Sequence, residues 1–227
     1  GEKSFRAKQI YEWLWKKRAT SFEEMTNLSL TLRTKIEQHF LINAIRLTEA
    51  QKSNDKTIKN AFLLADDAVV EGVLIPTKKR MTACVSVQVG CSLDCAFCAT
   101  GKLKRVRNLN PDEIYDQVVM ISEQSKNEYD IPLSNIVFMG MGEPLLNYKN
   151  VLLSIDKITS KDGLGMSPKR ITVSTAGIAK MIRKLADDNV KFNLALSLHA
   201  ANDEKRNKIM PINETNSLDV LKEAMIY

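Results

Sequence analysis

The 227-residue sequence has no cysteine outside residues 84–98, only two histidines (His39 and His199), and no apolar run long enough to span a bilayer. Each shortage narrows the reading. A structural zinc site wants four ligands, usually as two separated pairs, but no second C-x2-C exists and both histidines are far in sequence from the cysteines. With no secretory signal and all thiols clustered, a disulfide framework has little to build on. The lack of a leader and of a membrane run leads us to expect a cytoplasmic protein. Charge is not scarce: 33 Lys and Arg against 27 Asp and Glu give a net +6 and a pI near 9.1, and the hydrophobic fraction of 44% is ordinary for a globular chain. The length suffices for one large domain or two smaller ones.

Three of the four cysteines, Cys91, Cys95 and Cys98, form a C-x3-C-x2-C run, with Cys84 seven residues upstream of it. Three thiolates this close can hold three irons of a [4Fe–4S] cube and leave the fourth iron open, whereas clusters serving only electron transfer normally use four cysteines. An open iron can chelate the amino and carboxylate groups of S-adenosylmethionine (SAM). One electron then cleaves a carbon–sulfur bond and yields a 5′-deoxyadenosyl radical. Zinc binding or a disulfide stays open as the alternative.

Ala7, Ile10, Tyr11, Leu14 and Trp15 recur at three and four, one face of a helix. Phe22, Met25, Leu28, Leu32, Ile36 and Phe40 continue in that style, so residues 1–50 read as a helical accessory module. Its basic residues (Arg6, Lys8, Lys16, Lys17, Arg18) suit RNA binding. Residues 51–83 read as a connecting β segment, with apolar and β-branched stretches at 61–64 and 68–76 and a further one at 82–89. From residue 84 the pattern alternates. Asn110-Pro111-Asp112-Glu113 is a helix start, with strands expected at 135–140, 170–175 and 192–199 and helices near 151–158 and 178–186. Such alternation predicts an α/β fold with a parallel sheet and crossover helices. Parallel sheets place chemistry at the carboxyl ends of their strands, where Gly142-Glu143, Ser174 and Ser197–His199 fall. Lys78-Lys79-Arg80 before the cysteines, and Lys102, Lys104, Arg105 and Arg107 after them, suit a phosphate-rich substrate or a solvated surface.

Met139-Gly140-Met141-Gly142-Glu143-Pro144 ends a strand with two glycines that permit close backbone approach, and Glu143 can pair with a substrate ammonium. Gly90-Cys91-Ser92-Leu93-Asp94-Cys95-Ala96-Phe97-Cys98-Ala99-Thr100-Gly101 resembles the cluster loop of radical SAM enzymes. More narrowly, it resembles that of the dual-specificity rRNA and tRNA adenine-C2 methyltransferases. Phe138–Pro144, Ser174-Thr175-Ala176-Gly177, Ser197-Leu198-His199-Ala200 and Met210-Pro211-Ile212-Asn213 match that family in order and spacing, and the likeness extends over the N-terminal module.

The resemblance implies an incomplete (β/α)6 partial barrel with a [4Fe–4S] cluster on Cys91, Cys95 and Cys98. SAM would lie against Gly142, Glu143, Ser174, Ser197, Leu198 and His199. Glu71 matches a proton acceptor. Cys84 matches a second functional cysteine, which would pair with a C-terminal cysteine to resolve a covalent protein–RNA intermediate. The implied reaction methylates C2 of adenosine in 23S rRNA and tRNA through a methyl-cysteine, fed by a one-electron reductant such as flavodoxin or ferredoxin, in a protein monomeric at full length. A radical is needed because adenine C2 is electron-poor and its hydrogen is not acidic, and the target base is expected to be flipped out.

The sequence departs from the family at one point. No cysteine follows Cys98, whereas the family carries its methyl-accepting cysteine near the C-terminus. The chain also stops at Tyr227 inside an amphipathic run (Leu218, Leu221, Met225). A radical SAM core over 84–227, truncated before its last β/α units, is therefore expected. Alone it would not complete methyl transfer, and its open sheet edge would favour self-association. Two other functions stay open: methylation at adenine C8, with Glu143-Pro144 leaning toward C2, and a non-catalytic metal-holding RNA-binding module. A glycyl-radical activase is disfavoured by the basic runs, Cys84 and the helical module.

Overall fold

The computed structural model describes residues 2–227. Two helices open the chain, α1 (Phe5–Trp15) and α2 (Leu30–Glu37). Four strands follow: β1 (Arg46–Lys52), β2 (Ile58–Leu63), β3 (Val69–Pro76) and β4 (Met81–Cys84). A small ribbon of β5 (Gln88–Val89) and β6 (Arg107–Asn108) brackets the cysteine loop. The remainder alternates: α3 (Pro111–Tyr129), β7 (Asn135–Phe138), α4 (Tyr148–Thr159), β8 (Ile171–Thr175), α5 (Ala179–Asp187), β9 (Asn193–Leu196), α6 (Asp203–Ile209) and α7 (Leu218–Ile226). Among these residues no helix is long and apolar enough to cross a membrane.

The fold is α/β, built on one seven-stranded sheet of order β1-β2-β3-β4-β7-β8-β9. The first three pairings are antiparallel, and β4, β7, β8 and β9 run parallel. This parallel part, with helices between its strands, is the expected partial barrel. The sheet runs without a break across residues 50 and 83. β4 is both the last strand of the antiparallel part and the first of the parallel part.

Two local expectations need correction. Residues 46–52 form a strand, not a helical tail. Every side chain of β1 is exposed, so no apolar face announced it, and backbone pairing with β2 creates it. Its charged residues blunt a sheet edge. Phe22, Met25 and Leu28 are buried at helical spacing but sit in turns, where they form a small core with Ala19 and Leu32.

α3 starts as predicted: Pro111 opens it, and Glu113 accepts a hydrogen bond from the Asn110 backbone N–H at 2.8 Å. Ile114, Val118 and Ile121 face the main core, which includes Ile136, Phe138, Ile171 and Val173 from the parallel strands. The N-terminal module docks on the same core. Trp15 packs edge-on against Tyr115, whose hydroxyl donates to the Trp15 carbonyl at 2.6 Å, and Lys157 donates to the Tyr11 hydroxyl at 2.8 Å.

Between the N-terminal module and α3 lies an apolar cleft of about 580 Å³, floored by Asp112 and Asp116. Burial pushes the Asp116 carboxyl from 3.8 up to about 6, against the pull of the nearby Arg18 guanidinium. The folded state therefore favours the neutral acid. Asp116 supports the fold fully below the unfolded value of 3.8, and that support fades as pH rises through about 6. Asp116→Asn should raise the urea-unfolding free energy at pH 8 by up to about 3 kcal/mol. The gain should vanish near pH 3.5, and an equal gain at both pH values would contradict this account.

Candidate active site

The site begins where β4 ends. Val85 to Gln88 continues from β4 and pairs with the turn after β7: Gly140 N–H donates to the Val85 carbonyl at 3.0 Å, and Val87 N–H to the Met141 carbonyl at 2.9 Å. Ser86 and Gln88 alternate with Val85, Val87 and Val89, and all five are buried. The two polar side chains point at the turn and hold it. The Ser86 hydroxyl accepts from Met141 N–H at 2.8 Å and donates to the Glu71 carbonyl at 2.5 Å, while the Gln88 carbonyl accepts from Glu143 N–H at 2.9 Å. Gly142 has φ +96°, and a Cβ there would lie 2.5 Å from Gln88 Cβ, so both backbone shape and space demand glycine.

From Gln88 the chain enters the cysteine loop, which β5 and β6 close like a drawstring. Gly90 stands at its mouth with φ +72°, and a Cβ there would sit 2.2 Å from the Lys104 carbonyl oxygen. Cys91 N–H donates to the Leu103 carbonyl, and Cys98 N–H to the Cys95 carbonyl. The loop is also tied to a distant segment, because Ala96 N–H donates to the Ile209 carbonyl at 2.9 Å.

A cavity of about 270 Å³ opens between this loop and the strand ends. Cys91, Cys95 and Cys98 line one side, with Gly142, Glu143, Ser174, Ser197 and His199 on the other. Eight of the nine residues expected at the cluster and SAM sites thus face one space. Leu198 does not line it: its side chain is about half exposed, and its carbonyl accepts from Arg206. The Ser174 and Ser197 hydroxyls lie 3.2 Å apart. His199 adopts a left-handed backbone (φ +57°), uncommon outside glycine, and its ring lies 4.2 Å from that of Phe97 in the cysteine loop.

Glu143 is almost wholly buried. One carboxylate oxygen accepts from Leu145 N–H at 3.0 Å and the other from Ala176 N–H at 2.8 Å. Burial pushes its carboxyl up, and those hydrogen bonds oppose the shift. Its first role is therefore to bind the β7 turn to the β8 turn. The side chain also lines the cavity.

The other two expected residues lie outside the cavity. Glu71 is an exposed β3 residue whose carboxylate pairs with Lys59 at 3.2 Å. Its backbone N–H contacts the Met141 sulfur at 3.4 Å. Cys84 is buried at the end of β4, adjoining the Met139 backbone, and burial pushes its thiol up to about 11. At neutral pH the protonated thiol is therefore favoured. All four cysteines are free.

The donor set fits a cluster better than a single ion. Among the described residues no three His, Cys, Asp or Glu side chains converge as one metal ion requires. A cube held at three corners instead needs three separated thiols around a space with a free side, which this cavity offers. Burial holds the Cys91 thiol up and pushes the Cys95 thiol to about 11, so loading must release protons.

A model of the radical SAM superfamily matches residues 85–225. The chain belongs to that superfamily. Membership implies a [4Fe–4S] cluster and SAM as cofactors. A second model, described as the ribosomal RNA large subunit methyltransferase N-terminal domain, matches residues 1–42. The chain is 64% identical over its whole length to a protein of Cytophaga hutchinsonii and 63% identical to one of Christiangramia forsetii, both named "Probable dual-specificity RNA methyltransferase RlmN". It spans 62% and 64% of their lengths. The crystal structure of a radical SAM methyltransferase from Sphaerobacter thermophilus superposes with a TM-score of 0.88 at 36% identity, over 97% of this chain and 64% of that one.

Two residues that hold the segments around this cavity, Gln88 and Arg206, are not marked by any motif. Gln88 had a usable signal, a polar residue alternating with valines in a buried run. Arg206 had none, since Asp203-Glu204-Lys205-Arg206 reads as a solvated helix. For Gly142→Ala, left-handed strain alone should cost about 1–2 kcal/mol, and the Gln88 clash should add to it. Gly165, at φ +62° with open space for 4 Å around the position a Cβ would take, isolates the strain. Urea unfolding should show Gly142→Ala losing clearly more stability than Gly165→Ala; equal losses would refute the packing argument.

Proposed function

We propose that Cys91, Cys95 and Cys98 hold the cluster, that Gly142, Glu143, Ser174, Ser197, Leu198 and His199 form the SAM site, and that the whole protein methylates C2 of adenosine in 23S rRNA and tRNA. The observation that carries this reading is the single cavity shared by the three-cysteine loop and the polar carboxyl ends of β7, β8 and β9. The names of the relatives support RNA as substrate. In this reading residues 1–50 are an accessory RNA-binding module, 51–83 a connecting β segment and 84–227 the catalytic core. With RNA as substrate the protein works in the cytoplasm, fed by a one-electron reductant of the flavodoxin or ferredoxin kind.

When bound, the cluster and SAM supply a one-electron cleavage that opens chemistry at a carbon whose hydrogen is not acidic. The chain's own residues hold and orient. Ser174 and Ser197 offer paired hydroxyls that donate and accept. Glu143, held in place by two backbone N–H groups, presents its remaining lone pairs to a ligand ammonium. Phe97 and His199 pack against each other, rings tilted by 42°, between the cysteine loop and the β9 end. Lys102, Lys104 and Arg105 stand beside the loop and suit RNA phosphates. Glu71 and Cys84 enter by resemblance as proton acceptor and resolving thiol. Both adjoin the β7 turn, through Met141 and Met139 respectively.

Anaerobic reconstitution tests the reading first. We expect about four irons and matching sulfide per chain, lost in Cys91→Ala, with SAM cleaved under a strong reductant. Zinc, or no metal in a folded protein, would refute it. The methyl-accepting cysteine implied by the resemblance is not among the four cysteines of this sequence. This polypeptide alone should therefore cleave SAM without yielding methylated adenine, and detection of 2-methyladenosine would contradict that expectation.

A further inference from the structure

Arg206 is the bulkiest fully buried side chain among the described residues. A guanidinium loses its hydration at high cost and is buried only where partners repay it. Its hydrogen bonds go to four neutral oxygens: Nε donates to the Leu198 carbonyl at 3.0 Å, Nη2 to the carbonyls of Ala176 at 2.6 Å and Ser197 at 3.1 Å, and Nη1 to the side-chain oxygen of Asn213. Neither acid of α6 pairs with it directly: Asp203 accepts from the shared partner Asn213 and from Leu218 N–H, and Glu204 pairs with Lys208.

Those carbonyls are not random. Ala176 follows the end of β8, and Ser197 and Leu198 follow the end of β9. They hold the ends that carry Ser174, Ser197 and the left-handed His199, where Ala200 N–H turns back to the Leu198 carbonyl at 2.7 Å. Three residues after Arg206, the Ile209 carbonyl accepts Ala96 N–H from inside the cysteine loop, and Met210 lines the cavity. α6 therefore grips both halves of the site.

We propose that Arg206 is a positioning residue: its planar fork locks the β8 and β9 turns to α6 and, through Ile209, to the cysteine loop. This rests on the reading that the cavity takes the cluster and SAM. The shape of the fork is what matters. Lysine keeps the charge but is a single point with three donors, and it cannot span four oxygens laid out for a planar group.

The test compares the 227-residue chain with Arg206→Lys and Arg206→Met. In iron-free protein, amide hydrogen exchange at Ala96 and across Ser197–Ala200 should quicken in both variants while the β2 and β3 amides keep their protection. After reconstitution, SAM should bind about ten- to hundred-fold more weakly to both. Unchanged exchange, or SAM affinity within twofold of the parent in Arg206→Lys, would overturn the positioning role. A parent chain that takes up no iron, or iron but no SAM, defeats the reading of the cavity, while the exchange comparison still decides whether Arg206 holds the two halves. If both variants fail to fold, Asn213→Ala, which removes one acceptor from the fork, should show the same losses in smaller measure; parental exchange and affinity there would likewise overturn the proposal.

Discussion

The seam between Val85–Gln88 and Gly140–Glu143 is the contact on which the rest of this molecule's chemistry depends. It joins the strand that leads into the cysteines to the turn that carries Glu143. Backbone hydrogen bonds set its spacing, and Ser86 and Gln88 fix the turn from below. Because Gly142 lies against Gln88 with no room for a side chain, the two segments cannot slide past one another. The position of the three thiols relative to the strand ends follows from this one join.

The site also concentrates buried charge. Glu143 and Arg206 are both withdrawn from water, yet they do not pair with each other. Both bond to backbone groups of the turns beside them, the carboxylate to N–H groups and the guanidinium to three carbonyls, with the Asn213 side chain as its fourth partner. They even share a residue, since Ala176 donates its N–H to Glu143 and its carbonyl accepts from Arg206. Buried charges of this kind bring specificity more than stability, because only one backbone arrangement satisfies them. A cavity that must hold a ligand against a reactive centre needs such fixed walls.

The N-terminal helices and the antiparallel strands contribute differently. Trp15, Tyr115 and Tyr11 fasten the first module to α3 and α4, far from the cavity but on the same core. The cleft beside this joint is larger than the cavity at the cysteines, yet it brings together no thiol, histidine or serine set at a strand end. Size alone does not locate the chemistry. The convergence of strand ends does.

Much of this was legible in the residues. Local spacing is a property of the chain itself, so C-x3-C-x2-C, the glycine turn after β7 and the β/α alternation could be read without coordinates. So could the start of α3, where proline, acids and an apolar stripe agree. β1 was not legible, because an edge strand with every side chain in water carries no periodic signal and exists through its pairing with β2. Phe22 and Met25 follow a helical spacing yet lie outside any helix, because burial at that spacing does not require one. Glu143's capping of two turns and Arg206's burial were equally hidden. Charged residues read as solvated until the fold brings carbonyls or amides around them. The sequence by itself determined which chemistry the chain carries, through side chains spaced within single loops. Only the tertiary structure decided how loops far apart in sequence share one cavity, because that depends on parallel strands in register and on hydrogen bonds between segments as distant as Ala96 and Ile209.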